Sequence, residues 1–361
     1  MDRIERIRPP MINNRRVNIR QVATEAGVST QTVSRVLNNR PDVAPETRRR
    51  VKEVIARLGY QPSSIARSLI QGRSCTLGIV GTGLEYFGPS RTLVGAVNQA
   101  NALGYRLILN LLHEPATNDV EQILQAMYAQ HVDGIVWGIP EIGSNRQWIM
   151  QGYSRLRVPV VFLSMAPHPD LSTVSVDNRA GGRIATEHLL EHGYRNIGLI
   201  TGPLDWWEAR ERKLGWQDAL EAAGLPVQES LVVEGDWSAA SGERGLRRLY
   251  QQHPALEAIF VCNDQMALGV LKAARQLGLH VPKDLAIVGF DDIPEAAFFS
   301  PPLTTVRQEM IDLGSCAVTE LDRLISLSRQ GDEVVRPRSI SLQPQLIVRE
   351  SSGAVPPTCE T

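Results

Sequence analysis

Thr30, Gln31, Ser34 and Arg35 form the group of side chains in this sequence best suited to reading nucleic-acid bases. A glutamine amide pairs in two places with adenine, and a guanidinium does the same with guanine, in the major groove of duplex DNA. Such reading requires the side chains to project together from one rigid surface. Within residues 17–37, Val33, Val36 and Leu37 turn inward at helical spacing and leave those four outward. Ser29 stands where an N-cap belongs and puts Thr30 and Gln31 in the first turn. Upstream, Asn18 can cap an earlier helix whose apolar stripe is Ile19, Val22, Ala23 and Ala26. Gly27 occupies the reversal, where positive φ costs glycine little, and Val28 plugs the junction. This is a helix-turn-helix arrangement, in which the start of the second helix meets base edges. A third helix is expected from Pro45 to about Leu58, with Val51, Val54, Ile55 and Leu58 buried. The spacing alone also describes an ordinary small helical bundle.

Charge distribution favours the DNA reading. Residues 1–75 hold 15 Lys and Arg against 6 Asp and Glu, whereas the whole chain of 361 residues holds 38 against 39. A near-neutral total therefore hides a basic head on an acidic body, which suits phosphate contact by the head alone. Arg48, Arg49 and Arg50 are either part of that contact or a solvated helix face. The N-terminus lacks the apolar core of a secretory leader, and no run is long and apolar enough to span a bilayer. Cys75, Cys262, Cys316 and Cys359 are scattered, without metal-ligand or disulfide-scaffold spacing. A cytoplasmic protein with no metal and no cofactor is expected.

From Thr76 onward short apolar runs alternate with amphipathic helices: 76–81, 106–112, 134–140, 159–164, 196–202, 258–264 and 285–292, separated by helices near 91–103, 119–130, 181–192, 210–223 and 265–277. This alternation predicts an α/β body of parallel sheets covered by helices, in two lobes with a cleft. Ligands of such sheets bind beyond the strand ends. Arg212, Trp237, Asn263, Asp291 and Gln308 fall at strand ends or in the segments after them. Planar polar groups plus an aromatic face form a set that can grip a saccharide. Taken singly, each reads first as a strand-end polar group satisfied by backbone, and it is the five together that favour a ligand site. Tyr86, Phe87 and Trp137 follow strands of the first lobe and are candidates for the pocket roof or for packing between lobes.

Catalytic motifs fail. Gly81-Thr82-Gly83 lacks the third glycine and the helix of a dinucleotide fingerprint. His113-Glu114 has no second histidine four residues on, and nucleophile-elbow and phosphate-loop patterns are missing. No catalytic residue is assigned and no enzyme is expected. A sugar-modifying enzyme fused to a DNA-binding head and a transport-type sugar-binding protein are the competing readings.

The segments VSTQTVSRVLN at 28–38, RLGYQPSSIARSL at 57–69, GDWSAASG at 235–242, CNDQMALG at 262–269, VGFDDIPEA at 288–296 and PPLTTVRQ at 301–308 together resemble the LacI/GalR family of bacterial transcription regulators, in the family's order over residues 17–350. The resemblance is nearest to its sugar-responsive members. It implies a body like a periplasmic binding protein and places Thr30, Gln31 and Arg35 at base-reading positions. Residues 63–69 then fall on a hinge helix that enters the minor groove, with Leu69 as the wedge and Ala66 beside it. An inserted apolar side chain unstacks a base step and bends the duplex. Arg212, Trp237, Asn263, Asp291 and Gln308 match effector-contacting positions. Tyr86, Phe87 and Trp137 depart from that pattern and imply a different or larger sugar. Ala44 departs too, since serine often caps the third helix there.

The expected organisation is a loose tail at 1–16, a DNA-binding head at 17–62, hinge and linker at 63–75, a two-lobed effector and dimerisation domain at 76–350 and a loose tail at 351–361. The expected partners are a pseudopalindromic double-stranded operator, a small saccharide and a second copy of the chain. The absence of a leucine-heptad tail favours a dimer over a tetramer. Leu69→Ala is expected to weaken binding to specific operator more than to random DNA in gel shifts, and equal losses would refute the wedge.

Overall fold

Asn18 and Gln21 start the first helix by bonding each other's backbone. The Asn18 side chain accepts from Gln21 N at 3.0 Å and the Gln21 side chain accepts from Asn18 N at 2.9 Å, the reciprocal arrangement that satisfies two otherwise orphaned donors. The helix, α1 (Ile19–Ala26), ends at Gly27 with φ 64°. Ser29 Oγ accepts from Thr32 N at 3.1 Å and so caps α2 (Thr30–Leu37). Ala44 gives α3 (Pro45–Leu58) no side-chain cap, but Glu46 lies in its first turn, where a negative charge suits the helix dipole. Val22, Ala26, Val33, Val36, Val51 and Val54 pack the three helices together. Arg57 ties α3 to Glu25 of α1 at 2.8 Å.

The computed structural model describes residues 17–37, 40–60, 73–112, 120–142, 145, 148–149, 156–330 and 336–353. They divide into two units between Ser74 and Cys75. The predicted wedge Leu69 and its neighbour Ala66 lie outside the described residues, as do the tail at 1–16, residues 354–361 and His113-Glu114, whereas Ser351 and Ser352, at the head of the expected C-terminal tail, are buried, Ser351 Oγ accepting from Thr304 N at 2.8 Å.

The second unit opens with β1 (Thr76–Thr82), α4 (Phe87–Ala102), β2 (Arg106–Leu112), α5 (Val120–Ala129), β3 (Gly134–Gly138), β4 (Val160–Leu163) and β5 (Ser172–Val176). It continues with α6 (Asn178–Glu191), β6 (Ile197–Thr201), α7 (Trp207–Ala222), β7 (Val232–Glu234), α8 (Ala239–Gln252), β8 (Ala258–Val261), α9 (Asp264–Gln276), β9 (Ala286–Asp291) and β10 (Thr304–Arg307). Last come α10 (Met310–Gln330), β11 (Ser339–Leu342) and β12 (Gln345–Ile347). Two six-stranded sheets result, ordered β11-β5-β4-β3-β1-β2 and β12-β10-β9-β8-β6-β7. All pairings are parallel except β10 with β12. The central strands are buried on both faces, as helix-covered parallel strands must be.

The chain crosses between lobes after β5, after β10 and after β11. Consequently α10 covers the first sheet although it follows the second: Leu313, Val318 and Leu321 pack with Leu77, Val136 and Val174. β5, β7, β10, β11, β12, α8 and α10 go beyond the runs named from sequence. β5 reads Ser-Thr-Val-Ser-Val yet is wholly buried. Its Ser172 hydroxyl donates to Glu320 of α10 at 3.2 Å, so polar composition concealed a core strand.

Helix pairs of the body approach through glycine. A Cβ on Gly182 of α6 would stand 2.2 Å from the Arg212 carbonyl of α7, and one on Gly215 of α7 would stand 2.1 Å from the Arg179 carbonyl of α6. Backbone is the obstacle in both cases, so no side-chain adjustment relieves it. This contact sets the depth of α7 and with it the position of Arg212. Gly182→Ala is expected to destabilise the body by about 1–3 kcal/mol or more, seen as a lower urea midpoint. Tryptophan fluorescence reports that transition selectively, because all six tryptophans lie beyond residue 75.

Candidate functional site

In the head, the burial of Val33 and Val36 turns the opposite face of α2 to solvent. Thr30, Gln31 and Arg35 are exposed and Ser34 is half-buried. Arg35 Nε lies 3.5 Å from Asp42 Oδ2, both side chains about half exposed. Such a pair contributes little in water and leaves the guanidinium free to exchange partners.

In the body, the C-terminal ends of both sheets open onto one cleft with about 1210 Å³ of open space, mouth included. Seven of the eight sequence-predicted residues line it: Tyr86, Phe87, Arg212, Trp237, Asn263, Asp291 and Gln308. The register explains part of this convergence. Arg307 of β10 pairs opposite Asp291 of β9, so Gln308 emerges beside the Asp291 carboxylate and donates to its Oδ1 at 2.6 Å.

Arg212 is buried and placed by several partners. Its Nε donates to Asn178 Oδ1 at 2.8 Å, a further guanidinium N–H donates to the Cys262 carbonyl, and its Cζ lies 3.9 Å from the centre of the Phe290 ring and 5.5 Å from that of Trp237. Trp237 has φ 68° and packs on Gly202, where a Cβ would stand 2.1 Å from the indole. Its buried Nε1 has no hydrogen-bond partner among the described residues. Asn263 caps α9 by accepting from Met266 N at 2.8 Å while donating to the Trp237 carbonyl at 3.0 Å. Both ends of its amide are thus engaged, and its visible work is to hold the Trp237 turn.

Asp291 and Asp292 have φ of 117° and 54°, conformations that non-glycine residues adopt only when their surroundings enforce them. The enforcement comes from Asp292, which accepts from Arg307 and Arg349, each at 2.7 Å. Burial pushes the Asp291 carboxyl up to about 6, against the opposing pull of Arg212 and the Gln308 hydrogen bond. Neighbouring Asp264 is also raised, by burial first and then by the charge of Asp291.

Trp137 is the correction. Its indole is buried on the opposite face of the first sheet, stacked on Trp148 at 5.8 Å and packed with Ile135, Phe162 and Met127 beneath α5. Its neighbours Val136 and Gly138 reach the cleft instead. Adjacent strand residues face opposite sides, and a strand buried on both faces offers no polar alternation to show which side is which.

Sequence reasoning missed Asn178, Glu208, Ser164 and Trp206, which also line the cleft. Asp177-Asn178 reads as a structural pair. Asp177 does cap α6, accepting from Ala180 N at 2.9 Å, but Asn178 orients Arg212.

Residues 18–63 match the profile of bacterial regulatory proteins of the lacI family, and residues 186–352 that of the periplasmic binding protein-like domain. The HTH-type transcriptional repressor PurR of Haemophilus influenzae strain PittEE is 34% identical over 340 residues, covering 93% of this chain and 99% of that protein. The chain belongs to the LacI family of bacterial regulatory proteins.

Solved structures agree with the architecture of this LacI-family protein. The lac repressor dimer bound to operator and the anti-inducer ONPF superposes with a TM-score of 0.83 at 32% identity, covering 94% of this chain and 99% of that one. The transcriptional regulator CelR–cellobiose complex gives 0.69 at 32% identity, covering 93% and 100%. The chain is therefore a DNA-binding regulator whose head is joined to an effector domain with two parallel-sheet lobes. Among the described residues no helix is long and apolar enough to cross a membrane.

The raised Asp291 carboxyl has a signed consequence. The folded state holds this proton more tightly than the unfolded chain, so its contribution to stability improves as pH falls from 7 through about 6 towards 4. Melting temperatures of wild type and Asp291→Asn over that range are expected to diverge in favour of wild type at the acid end. A pH-independent difference would contradict this.

Proposed function

We propose that this LacI-family protein is a repressor of carbohydrate-utilisation genes. In this reading it binds a pseudopalindromic operator as a homodimer, and a small saccharide held between the lobes lowers its operator affinity. The observation that carries the reading is the convergence of Arg212, Asp291 and Gln308 beside the Trp237, Trp206 and Phe87 rings. Carboxylate, guanidinium and amide groups match vicinal hydroxyls, and aromatic faces match the C–H surface of a pyranose. The solved relative described with cellobiose supports the ligand class.

In the head, Thr30, Gln31 and Arg35 read base edges of the major groove, with Ser34 beside them. Two such heads occupy the two half-sites that two-fold symmetry requires. Leu69, with Ala66 beside it, supplies the minor-groove wedge. The ligand prefers the lobe arrangement that does not support the paired hinges, because equal affinity for both arrangements would shift nothing.

A second reading is favoured by the ring-lined walls: Tyr86, Phe87, Trp206 and Trp237 would also stack on a flat nitrogen heterocycle. Thermal-shift screening of the full chain against monosaccharides, disaccharides and nucleobases separates the two. A rise in melting temperature with a saccharide supports the first reading, and a rise only with a nucleobase replaces it by the second. Gel shifts on DNA selected from a random pool then test the switch. Asp291→Ala is expected to retain DNA affinity and lose the ligand response. Arg35→Ala is expected to lose about 1–3 kcal/mol of discrimination between selected and random DNA. Unchanged discrimination would remove Arg35 from base reading.

A further inference from the structure

Asp42 sets a carboxylate against the base-reading side of the head. Four acids fall among the described residues of the head. Glu25 pairs with Arg57, Glu53 pairs with Arg49 and Glu46 lies in the first turn of α3. Asp42 instead places Oδ2 3.5 Å from Arg35 Nε. A carboxylate on a surface that meets phosphates weakens general attraction to DNA. Residues 1–75 are otherwise basic, with 15 Lys and Arg against 6 Asp and Glu. General attraction therefore gives no reason for an acid at this place.

Local bonds hold it there. Arg40 N donates to the Arg35 carbonyl at 3.0 Å, and the Arg40 carbonyl accepts from the Arg48 guanidinium of α3. Val43 is buried with Val33, Val36 and Val51 in the core of the head. Pro41 lies between these anchors, its φ fixed by the ring. The turn is thus held on both sides of Asp42 and returns its carboxylate to the end of α2.

The direction of the pair leaves one edge of the guanidinium open. Arg carries one N–H on Nε and four on its two Nη atoms, all in one plane. The carboxylate lies on the Nε side, so both Nη atoms remain for O6 and N7 of a guanine. In water the pair is weak and open to exchange. Between protein and DNA water is displaced, the effective dielectric falls and the same pair strengthens. It then fixes the fork at the moment a base is read.

We propose that Asp42 is a positioning residue for base recognition: it holds Arg35 by Nε, aims the two Nη atoms at a guanine edge and sharpens discrimination at the base pair that Arg35 reads. This rests on the base-reading role of Arg35, and the experiment separates the two. Full-chain wild type selects its site from a random DNA pool. Competition gel shifts at fixed salt then compare every single-base-pair change in that site, and random DNA, for wild type, Arg35→Ala, Asp42→Asn, Asp42→Ala and the Arg35→Ala/Asp42→Ala double variant.

Arg35→Ala is expected to relax one base pair in each half-site. Asp42→Asn and Asp42→Ala are expected to lower the preference at that same pair by about three- to ten-fold and to leave other positions unchanged. In the Arg35→Ala background Asp42→Ala is expected to change no preference further, the non-additivity of residues acting as a unit. Affinity for random DNA is the fold control, and it is expected to hold or rise because an acid has been removed. Unchanged preference at the Arg35 pair in both Asp42 variants, with tighter binding to all DNA, identifies plain repulsion of phosphate; it overturns the proposal and leaves the Arg35 reading intact. Preference lost evenly at all positions, or a fall in random-DNA affinity, identifies a structural role and also overturns it. If Arg35→Ala relaxes no position, the base-reading role of Arg35 fails and the proposal fails with it.

Discussion

A guanidinium buried at the end of a parallel sheet is the constraint around which the body is organised. Removing a charge from water is expensive unless partners replace the lost hydration. Arg212 obtains them from four elements: the Asn178 amide on α6, the Cys262 carbonyl after β8, and the Phe290 and Trp237 rings. The Asn178 bond spans α6 and α7, which lie at backbone contact where Gly182 and Gly215 permit it. The polar wall of the cleft and the packing of the second lobe are thus one arrangement.

The Asp291-Asp292 turn shows the same economy in opposition. Consecutive positive φ values and a carboxyl raised by burial both disfavour the turn. Arg307 and Arg349 hold it through Asp292, and Gln308 holds Asp291. Strain that persists because its surroundings over-determine it is found where ligands are gripped. A group poised in this way is sensitive to what enters the cleft, which an effector site requires.

The head depends on a different logic, that of a small domain with modest apolar area. It gains order from local devices: the Asn18–Gln21 box, Gly27 at the turn, the Ser29 cap and the Arg57–Glu25 pair. These leave Thr30, Gln31 and Arg35 on the exposed side of α2, with the solvent-exposed Arg35–Asp42 pair exchangeable for another partner.

Much was legible without coordinates. The caps, the glycine turn, the apolar stripes of the head, the charge asymmetry and the alternation of apolar runs with helices are local properties, and local backbone and side-chain preferences act over a few residues. The chain itself therefore determined two helices around a turn, an α/β body and a set of polar and aromatic residues near strand ends, seven of which share one cleft. Tertiary structure decided what local pattern cannot encode. Trp137 faces away from the cleft because β3 is covered on both sides and its parity is set by α5 and α10. β5 is core despite its hydroxyls because Glu320, far along the chain, bonds one of them. Asn178 and Glu208 join the site only because the chain crosses between lobes and brings α6 and α7 against the ends of both sheets, and such long-range adjacency leaves no trace in the spacing of neighbouring residues.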